Sequence, residues 1–160
     1  HACTVKGKVD YHVAKGSKCE KVTNGELLEL PCDILVLSAM ENQVNEKNAG
    51  KVKAKMILEL ANGPVTTEAD DILEKRGIPI IPDILANAGG VTVSYFELVQ
   101  NQMNYYWTSE EIQDRLKIIM VDAWKGVSEI QAKYKCTYRM AAFIRTLTRL
   151  AQMAKIRGRV

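Results

Sequence analysis

Three short runs of apolar residues constrain the fold of this chain more than any other feature. They occupy residues 33–37, 55–60 and 78–81, and polar segments with helical patterns lie between them. Strands that are apolar along their whole length are buried on both faces, as in parallel sheets covered by crossover helices. The sequence therefore predicts an α/β fold built on a parallel sheet.

Short helices are predicted around these strands in the first half of the chain. Two of them follow a polar residue that can accept a hydrogen bond from the first helical turn. Gly77 stands where a left-handed residue closes the third of them. The predicted helices are residues 26–30 capped by Asn24 and ended by Pro31, residues around 46–49, and residues 68–75 capped by Thr66 or Thr67.

The second half of the chain is predicted to be helical. Its middle helix begins with a capping box from Thr108 to Glu111, and apolar residues then recur at helical spacing. The three predicted helices cover residues 90–101, 108–127 and 137–155. Together the two halves indicate a parallel sheet with crossover helices, followed by a C-terminal helical segment.

The chain length limits the number of domains. With 160 residues, the chain has room for one compact domain. Residues 1–21 form a poorly patterned lead that is predicted to contain an edge strand and a loop, and residues 22–160 carry the clear patterns. Because the sequence begins at His1 without a signal-peptide pattern, we expect it to belong to a longer protein.

Cysteine and histidine usage favours a reducing compartment without a metal site. The four cysteines and two histidines are the candidate metal ligands. The cysteines lack the spacing of zinc ligands and are too sparse for a disulfide framework. We therefore expect a cytoplasmic protein. No apolar run approaches the roughly 20 residues of a membrane span, so a membrane partner is not expected.

Positive charge is concentrated at the C-terminal end. Residues 130–160 contain eight lysines and arginines and no acidic residue, although the whole chain carries a net charge of only +3. We favour the explanation that this basic tail complements its own helix dipole and faces an acidic neighbouring surface. Contact with nucleic acid remains the second, less favoured explanation.

Polar loops follow all three predicted strands. They contain Asn42, Asn62 and Asn87, each near the carboxyl end of a strand. In open parallel sheets, ligands bind in the crevice beyond these ends, so the three loops are predicted to share one site. An amide group both donates and accepts, which suits a carboxamide, a ribose or an amino-acid backbone better than acid–base chemistry. Turn formation is the simpler explanation for any one loop alone.

Common catalytic motifs are absent from the sequence. The G-x-G-x-x-G dinucleotide fingerprint, the G-x-S-x-G elbow and the Walker loop are all missing, which argues against hydrolase and NTPase chemistry. Gly89 and Gly90 stand at the start of a predicted helix, where backbone can approach a ligand closely.

Six segments of the sequence carry a recognisable pattern, and they are residues 24–35, 39–42, 61–64, 68–70, 81–97 and 105–108. These segments closely resemble the C-terminal half of hexameric glutamate dehydrogenases, in the Glu/Leu/Phe/Val dehydrogenase family, and the match runs from about residue 22 to the end. The resemblance implies a partial Rossmann-like cofactor domain that closes over a substrate domain. It also implies hydride transfer with NAD or NADP in the reversible oxidative deamination of glutamate to 2-oxoglutarate and ammonia.

The same resemblance implies roles for the loop residues. Asn42 and Asn62 would line the cofactor cleft near its nicotinamide end. Asn87, Gly89 and Gly90 would lie where cofactor and substrate meet. The resemblance further implies a homo-oligomer, a hexamer in these relatives.

Val91 and Ser94 match family positions that contact the substrate side chain. A serine hydroxyl can donate to the distal carboxylate of glutamate, whereas a relative that binds apolar amino acids requires an apolar side chain at the position of Ser94. Ser94 thus favours glutamate, and a leucine, phenylalanine or valine dehydrogenase remains the alternative. The simpler explanation for Ser94 is a hydrogen bond to local helix backbone.

The sequence also departs from the family pattern. The family's catalytic lysines, catalytic acid and glycine-rich phosphate loop have no counterpart here, so we expect no catalytic residue in this chain and no activity from it alone. Leu60 and Thr67 replace an expected glycine and proline, and Leu60 stands where it can crowd the cleft. The choice between NAD and NADP stays open. A second function also stays open, in which the chain is a non-catalytic remnant of this fold that acts in assembly or binds nucleic acid through its basic tail.

Overall fold

The computed structural model describes residues 2–5, 8–11 and 22–158. The first two ranges are strands β1 (Ala2–Val5) and β2 (Lys8–Tyr11), which pair antiparallel with Ala2 opposite Tyr11. The sequence predicted a single edge strand and a loop for this lead, so a two-stranded sheet corrects part of that prediction. The predicted loop lies outside the described residues.

A parallel sheet forms the centre of the remaining structure. Its strands are β3 (Ile34–Leu37), β4 (Met56–Glu59) and β5 (Ile80–Ile81), in the order β3-β4-β5. Both pairings are parallel, with Leu37 opposite Glu59 and Leu58 opposite Ile81. This confirms the partial Rossmann-like sheet with crossover helices that the apolar runs and the family resemblance predicted.

The first helix, α1 (Asn24–Leu28), begins two residues earlier than expected. Thr23, rather than Asn24, is its cap, because the Thr23 side chain accepts from the Glu26 N–H while the Glu26 carboxylate accepts from the Thr23 N–H. These backbone and side-chain hydrogen bonds from Thr23 lower the pKa of Glu26. The Asn24 side chain instead donates to Gln43 at 2.8 Å.

The two crossovers of the sheet confirm one predicted helix and correct another. Helix α2 (Thr67–Lys75) is capped by the Thr66 hydroxyl, and Gly77 follows with a φ of +71°, a left-handed conformation that favours glycine. The polar helix expected around residues 46–49 is instead a short 3₁₀ turn at Ala49–Lys51. The Asn48 side chain accepts from the Asn45 N–H and donates to the Gln43 carbonyl there, and these local bonds compete with a regular helix.

Four helices follow the sheet, and three of them were predicted. The unpredicted one is α3 (Asp83–Ala86), a single turn between β5 and the long helices. The others are α4 (Ala88–Met103), α5 (Ser109–Tyr134) and α6 (Tyr138–Ile156), with Thr108 and Thr137 as the caps of the last two. None of the helices in the described part of the chain is long and apolar enough to cross a membrane.

The hydrophobic core has two layers, one on each face of the parallel sheet. Ile57 of β4 packs in one layer with Leu73 of α2, whereas its neighbours Met56 and Leu58 face the other layer, which contains Val127 of α5. Side chains of a strand alternate between faces, so a strand covered on both sides must be apolar at every position. The apolar runs of the sequence reflect this arrangement.

We predict that Leu73→Ala lowers the free energy of unfolding by about 2–5 kcal/mol, because Leu73 is fully buried in the first core layer. Urea denaturation measures this change. The matched control is Glu74→Ala, an exposed neighbour in the same helix whose replacement is expected to change stability by about 0.5 kcal/mol or less. A Leu73→Ala loss as small as that of the control would contradict the two-layer core.

Candidate functional site

The loops after β3 and β4 are joined by backbone hydrogen bonds at the carboxyl edge of the sheet. The N–H groups of Leu60 and Ala61 both donate to the Leu37 carbonyl at 2.8 Å. Further along, the Asn42 N–H donates to the Gly63 carbonyl at 2.9 Å. Asn42 adopts a left-handed conformation with a φ of 54°, and its side chain is exposed. The backbone thus brings Asn42 beside the loop that contains Asn62.

Asn62 and Asn87 are in direct contact. The Asn87 Nδ2 atom donates to Asn62 Oδ1 at 2.7 Å and to the Leu60 carbonyl at 3.3 Å. Asn87 occupies the N-cap position of α4, yet its side chain makes no capping hydrogen bond. Because the side chain reaches across to the β4 loop instead, it ties the start of α4 to that loop.

This amide pair leaves one donor group and one acceptor open to a ligand. Within the described residues, Asn62 Nδ2 and Asn87 Oδ1 have no hydrogen-bond partner, since the contact between the two side chains uses the other atom of each amide. Asn62 is exposed and Asn87 is half-buried. A donor beside an acceptor complements a ligand group that carries both, such as a carboxamide.

Gly89 and Gly90 form the first turn of α4, directly after Asn87. The Gly90 N–H donates to the Asn87 carbonyl at 3.1 Å, so this amide is not free for an anion. A side chain at Gly89 would meet Leu116 of α5 at an ordinary contact distance of 3.8 Å, whereas the space above Gly90 is open. Gly90 therefore leaves room for a ligand beside the amide pair.

Val91 and Ser94 lie one turn further along α4, and both are exposed. Val91 is 70% exposed, the largest value among the apolar residues of this helix. The Ser94 hydroxyl donates to the Gly90 carbonyl at 3.2 Å, which is the local backbone bond that competes with a substrate contact. Rotation about its side-chain bond would free this hydroxyl.

A half-buried arginine lies behind the crevice, and sequence analysis missed it. Arg139 Nη2 contacts Glu59 Oε1 at 2.8 Å, and Arg139 Nε contacts Asp70 Oδ2 at 2.5 Å. Arg139 Nη1 lies 3.7 Å from Asp83 Oδ1. Burial alone disfavours the charged guanidinium, but the hydrogen bonds and attraction of Glu59 and Asp70 outweigh it and raise the pKa of Arg139. We call Arg139, Glu59, Asp70 and Asp83 the arginine node.

The arginine node is connected to the crevice loops through Asp83. Glu59, which is fully buried, accepts from the Asp83 N–H through Oε2 at 2.9 Å. Asp83 Oδ2 in turn accepts from the Gly63 N–H at 2.8 Å. The one sequence signal for this node is Glu59 itself, a carboxylate inside an otherwise apolar strand, where a buried charge requires a partner.

Two arginines of the basic tail are paired within the chain. Arg139 belongs to the arginine node, and Arg145 contacts Asp122 of α5 at 2.8 Å. The Arg145 guanidinium crosses α5 directly above Gly126, where any side chain would collide with it. In the described ranges, no group of three His, Cys, Asp or Glu side chains is placed to hold a metal ion.

These features define an α/β domain whose polar loops come together beyond the carboxyl ends of parallel strands, the edge at which open parallel sheets bind ligands. The chain matches the model of the Glutamate/Leucine/Phenylalanine/Valine dehydrogenase family over residues 2–158 and belongs to this family. The matched range includes most of the lead, the segment whose sequence resembled the family least.

Individual relatives support the family assignment. The chain is 46% identical over 137 residues to a catabolic NAD-specific glutamate dehydrogenase of Bacillus subtilis, an alignment covering 86% of this chain and 32% of the relative. It is 48% identical over 141 residues to a glutamate dehydrogenase of Thermotoga maritima, covering 88% of this chain and 34% of the relative. The chain thus spans about a third of the length of these curated relatives.

Solved structures agree with the sequence comparison. A glutamate dehydrogenase from Peptoniphilus asaccharolyticus superposes with a TM-score of 0.73 at 42% identity, covering 77% of this chain and 31% of that one. A hetero-hexameric glutamate dehydrogenase from Thermus thermophilus, in a leucine-bound form, gives a TM-score of 0.82 at 29% identity. The alignment covers 90% of this chain and 35% of that one.

We predict that Arg139→Met lowers the free energy of unfolding by about 3–5 kcal/mol, because it leaves the buried Glu59 carboxylate without its partner. Arg145→Met is the matched control on the same helix, since its partner Asp122 is exposed and such pairs contribute about 1 kcal/mol or less. Urea denaturation of both variants measures the difference. Equal losses would show that the arginine node contributes no more than a surface ion pair.

Proposed function

We propose that residues 22–160 form the C-terminal portion of the cofactor domain of a glutamate dehydrogenase. The complete protein would catalyse the reversible NAD- or NADP-dependent oxidative deamination of glutamate to 2-oxoglutarate and ammonia. Membership of the family supports this, as do relatives described as NAD-specific glutamate dehydrogenases. The observation that carries the proposal is the contact between Asn62 and Asn87 at the carboxyl edge of the parallel sheet.

The open atoms of the amide pair fit a nicotinamide carboxamide. Asn62 Nδ2 can donate to the carboxamide oxygen, and Asn87 Oδ1 can accept from its N–H. The bound cofactor would supply the hydride chemistry, since no side chain of a protein provides it. The role of Asn42, Asn62, Asn87 and Gly90 would be to orient the nicotinamide ring and to leave one of its faces open to substrate.

Substrate recognition is assigned to the exposed face of α4. Val91 and Ser94 follow Asn87 and Gly90 on this helix, so a substrate held there would lie next to the nicotinamide. Val91 would pack against the aliphatic part of glutamate. The Ser94 hydroxyl would leave the Gly90 carbonyl and donate to the distal carboxylate, a charge-assisted and therefore stronger hydrogen bond.

The assembly and the cellular location are part of the proposal. The Thermus thermophilus relative is described as hexameric, which supports a hexamer here. Free thiols at Cys32 and Cys136 are compatible with a reducing cytoplasm. Nucleic acid is not proposed as a partner, because Arg139 and Arg145 are already paired with carboxylates of the chain.

We predict that the 160-residue chain alone does not oxidise glutamate with NAD or NADP, and that the complete protein containing it does. The physical reason is that this chain carries none of the family's catalytic lysines and no phosphate loop. Absorbance of the reduced cofactor at saturating glutamate measures turnover. Activity of the isolated chain, or a complete protein that folds and binds cofactor but leaves glutamate unchanged, would contradict the proposal.

We predict that Ser94→Val in the complete protein lowers kcat/KM for glutamate by about 10- to 100-fold, because the distal carboxylate loses its hydrogen-bond donor. Relative activity on leucine or valine should rise. Thr92→Val is the matched control, since Thr92 lies two residues before Ser94 on the same helix and its hydroxyl donates to the Ala88 carbonyl. A variant that retains the wild-type preference for glutamate would remove Ser94 from substrate recognition.

A further inference from the structure

We propose that Arg139 is a positioning residue for the cofactor crevice. It holds the Asn62–Asn87 amide pair in place through Asp83, although it touches neither asparagine. This inference rests on the proposed function, because it assigns the amide pair to the nicotinamide carboxamide. Arg139 lies in the first turn of the last helix, α6, and the arginine node connects this turn to the loops that carry the amide pair.

Asp83 contacts both sides of the amide pair. Its carboxylate accepts from the Gly63 N–H at 2.8 Å, and Gly63 directly follows Asn62 in the β4 loop. Its backbone carbonyl accepts from the Asn87 N–H at 3.0 Å. One residue therefore sets the distance between the two loops that carry the open donor and acceptor.

Arg139 and Glu59 fix the position of Asp83. The Glu59 carboxylate receives the Asp83 N–H, and its other oxygen is held by Arg139 at 2.8 Å. The Asp83 carboxylate also lies 3.7 Å from Arg139 Nη1. Without the guanidinium, Glu59 and Asp83 would be neighbouring negative charges in a poorly hydrated site, and repulsion would turn the Asp83 side chain towards water. The Gly63 N–H would then lose its acceptor.

The shape of arginine matters as much as its charge. Its guanidinium presents separate N–H groups to Glu59, Asp70 and Asp83, which approach from β4, α2 and α3. A lysine ammonium is a compact point charge and cannot serve three carboxylates with the same geometry. Arg139→Lys therefore keeps the charge balance of the node while releasing the position of Asp83.

The test uses the complete protein with Arg139→Lys, and with Arg145→Lys as the matched control on the same helix. We expect Arg139→Lys to raise the KM for cofactor about tenfold or more, with the KM for glutamate within about twofold of wild type. Hydrogen exchange at the Gly63 amide should also become about tenfold faster, because its acceptor moves. Arg145→Lys should change none of these quantities.

A double variant separates positioning from general destabilisation. Asp83→Ala removes the acceptor of Gly63 directly, and Arg139 keeps its ion pairs with Glu59 and Asp70. If Arg139 acts through Asp83, adding Arg139→Lys to Asp83→Ala raises the cofactor KM no further. Additive effects, or equal rises in both KM values, would overturn the inference.

The Gly63 exchange rate keeps this inference distinct from the proposed function. A wild-type protein without glutamate turnover would overturn the proposed function, whereas Arg139→Lys would still accelerate exchange at Gly63 if Arg139 positions the loop. Conversely, an active wild type whose Arg139→Lys variant keeps its cofactor KM and its Gly63 exchange rate would overturn the positioning role alone.

Discussion

The ion pairs between Arg139 and its three carboxylates are the interaction on which the arrangement of this structure depends. Glu59 ends β4, Asp70 lies in α2, and Asp83 begins α3, so the guanidinium from α6 joins four elements. A fully buried carboxylate such as Glu59 is unfavourable unless it is paired and hydrogen-bonded. This requirement fixes α6 against the carboxyl edge of the sheet, where the polar loops lie.

The two core layers and the arginine node have different roles. The apolar layers supply most of the driving force for folding, because they remove the side chains of β4 and its helices from water. They do not determine where individual loop atoms lie. Hydrogen bonds to Asp83 do so, since they set the positions of Gly63 and Asn87 directly. The same separation of packing from positioning is expected wherever a site lies on loops at the end of a sheet.

The sequence predicted the parallel sheet because buried strands require continuous apolar runs, and it predicted α5 because of its capping box at Thr108. It also placed Asn62 and Asn87 at one edge, where the structure brings them into contact. Thr23 was missed as a cap because asparagine, here the adjacent Asn24, is generally preferred over threonine at this position. The arginine node was missed for another reason. Arg139 and Glu59 are 80 residues apart in the chain, and no local pattern reports such a contact.

The central claim is that Asn62 and Asn87 together receive the nicotinamide carboxamide. A crystal structure of the complete protein with bound cofactor tests it most directly. The account predicts the carboxamide oxygen within about 3.5 Å of Asn62 Nδ2 and the carboxamide nitrogen equally close to Asn87 Oδ1. A nicotinamide ring bound elsewhere, with the two asparagine side chains still in contact only with protein, would contradict it.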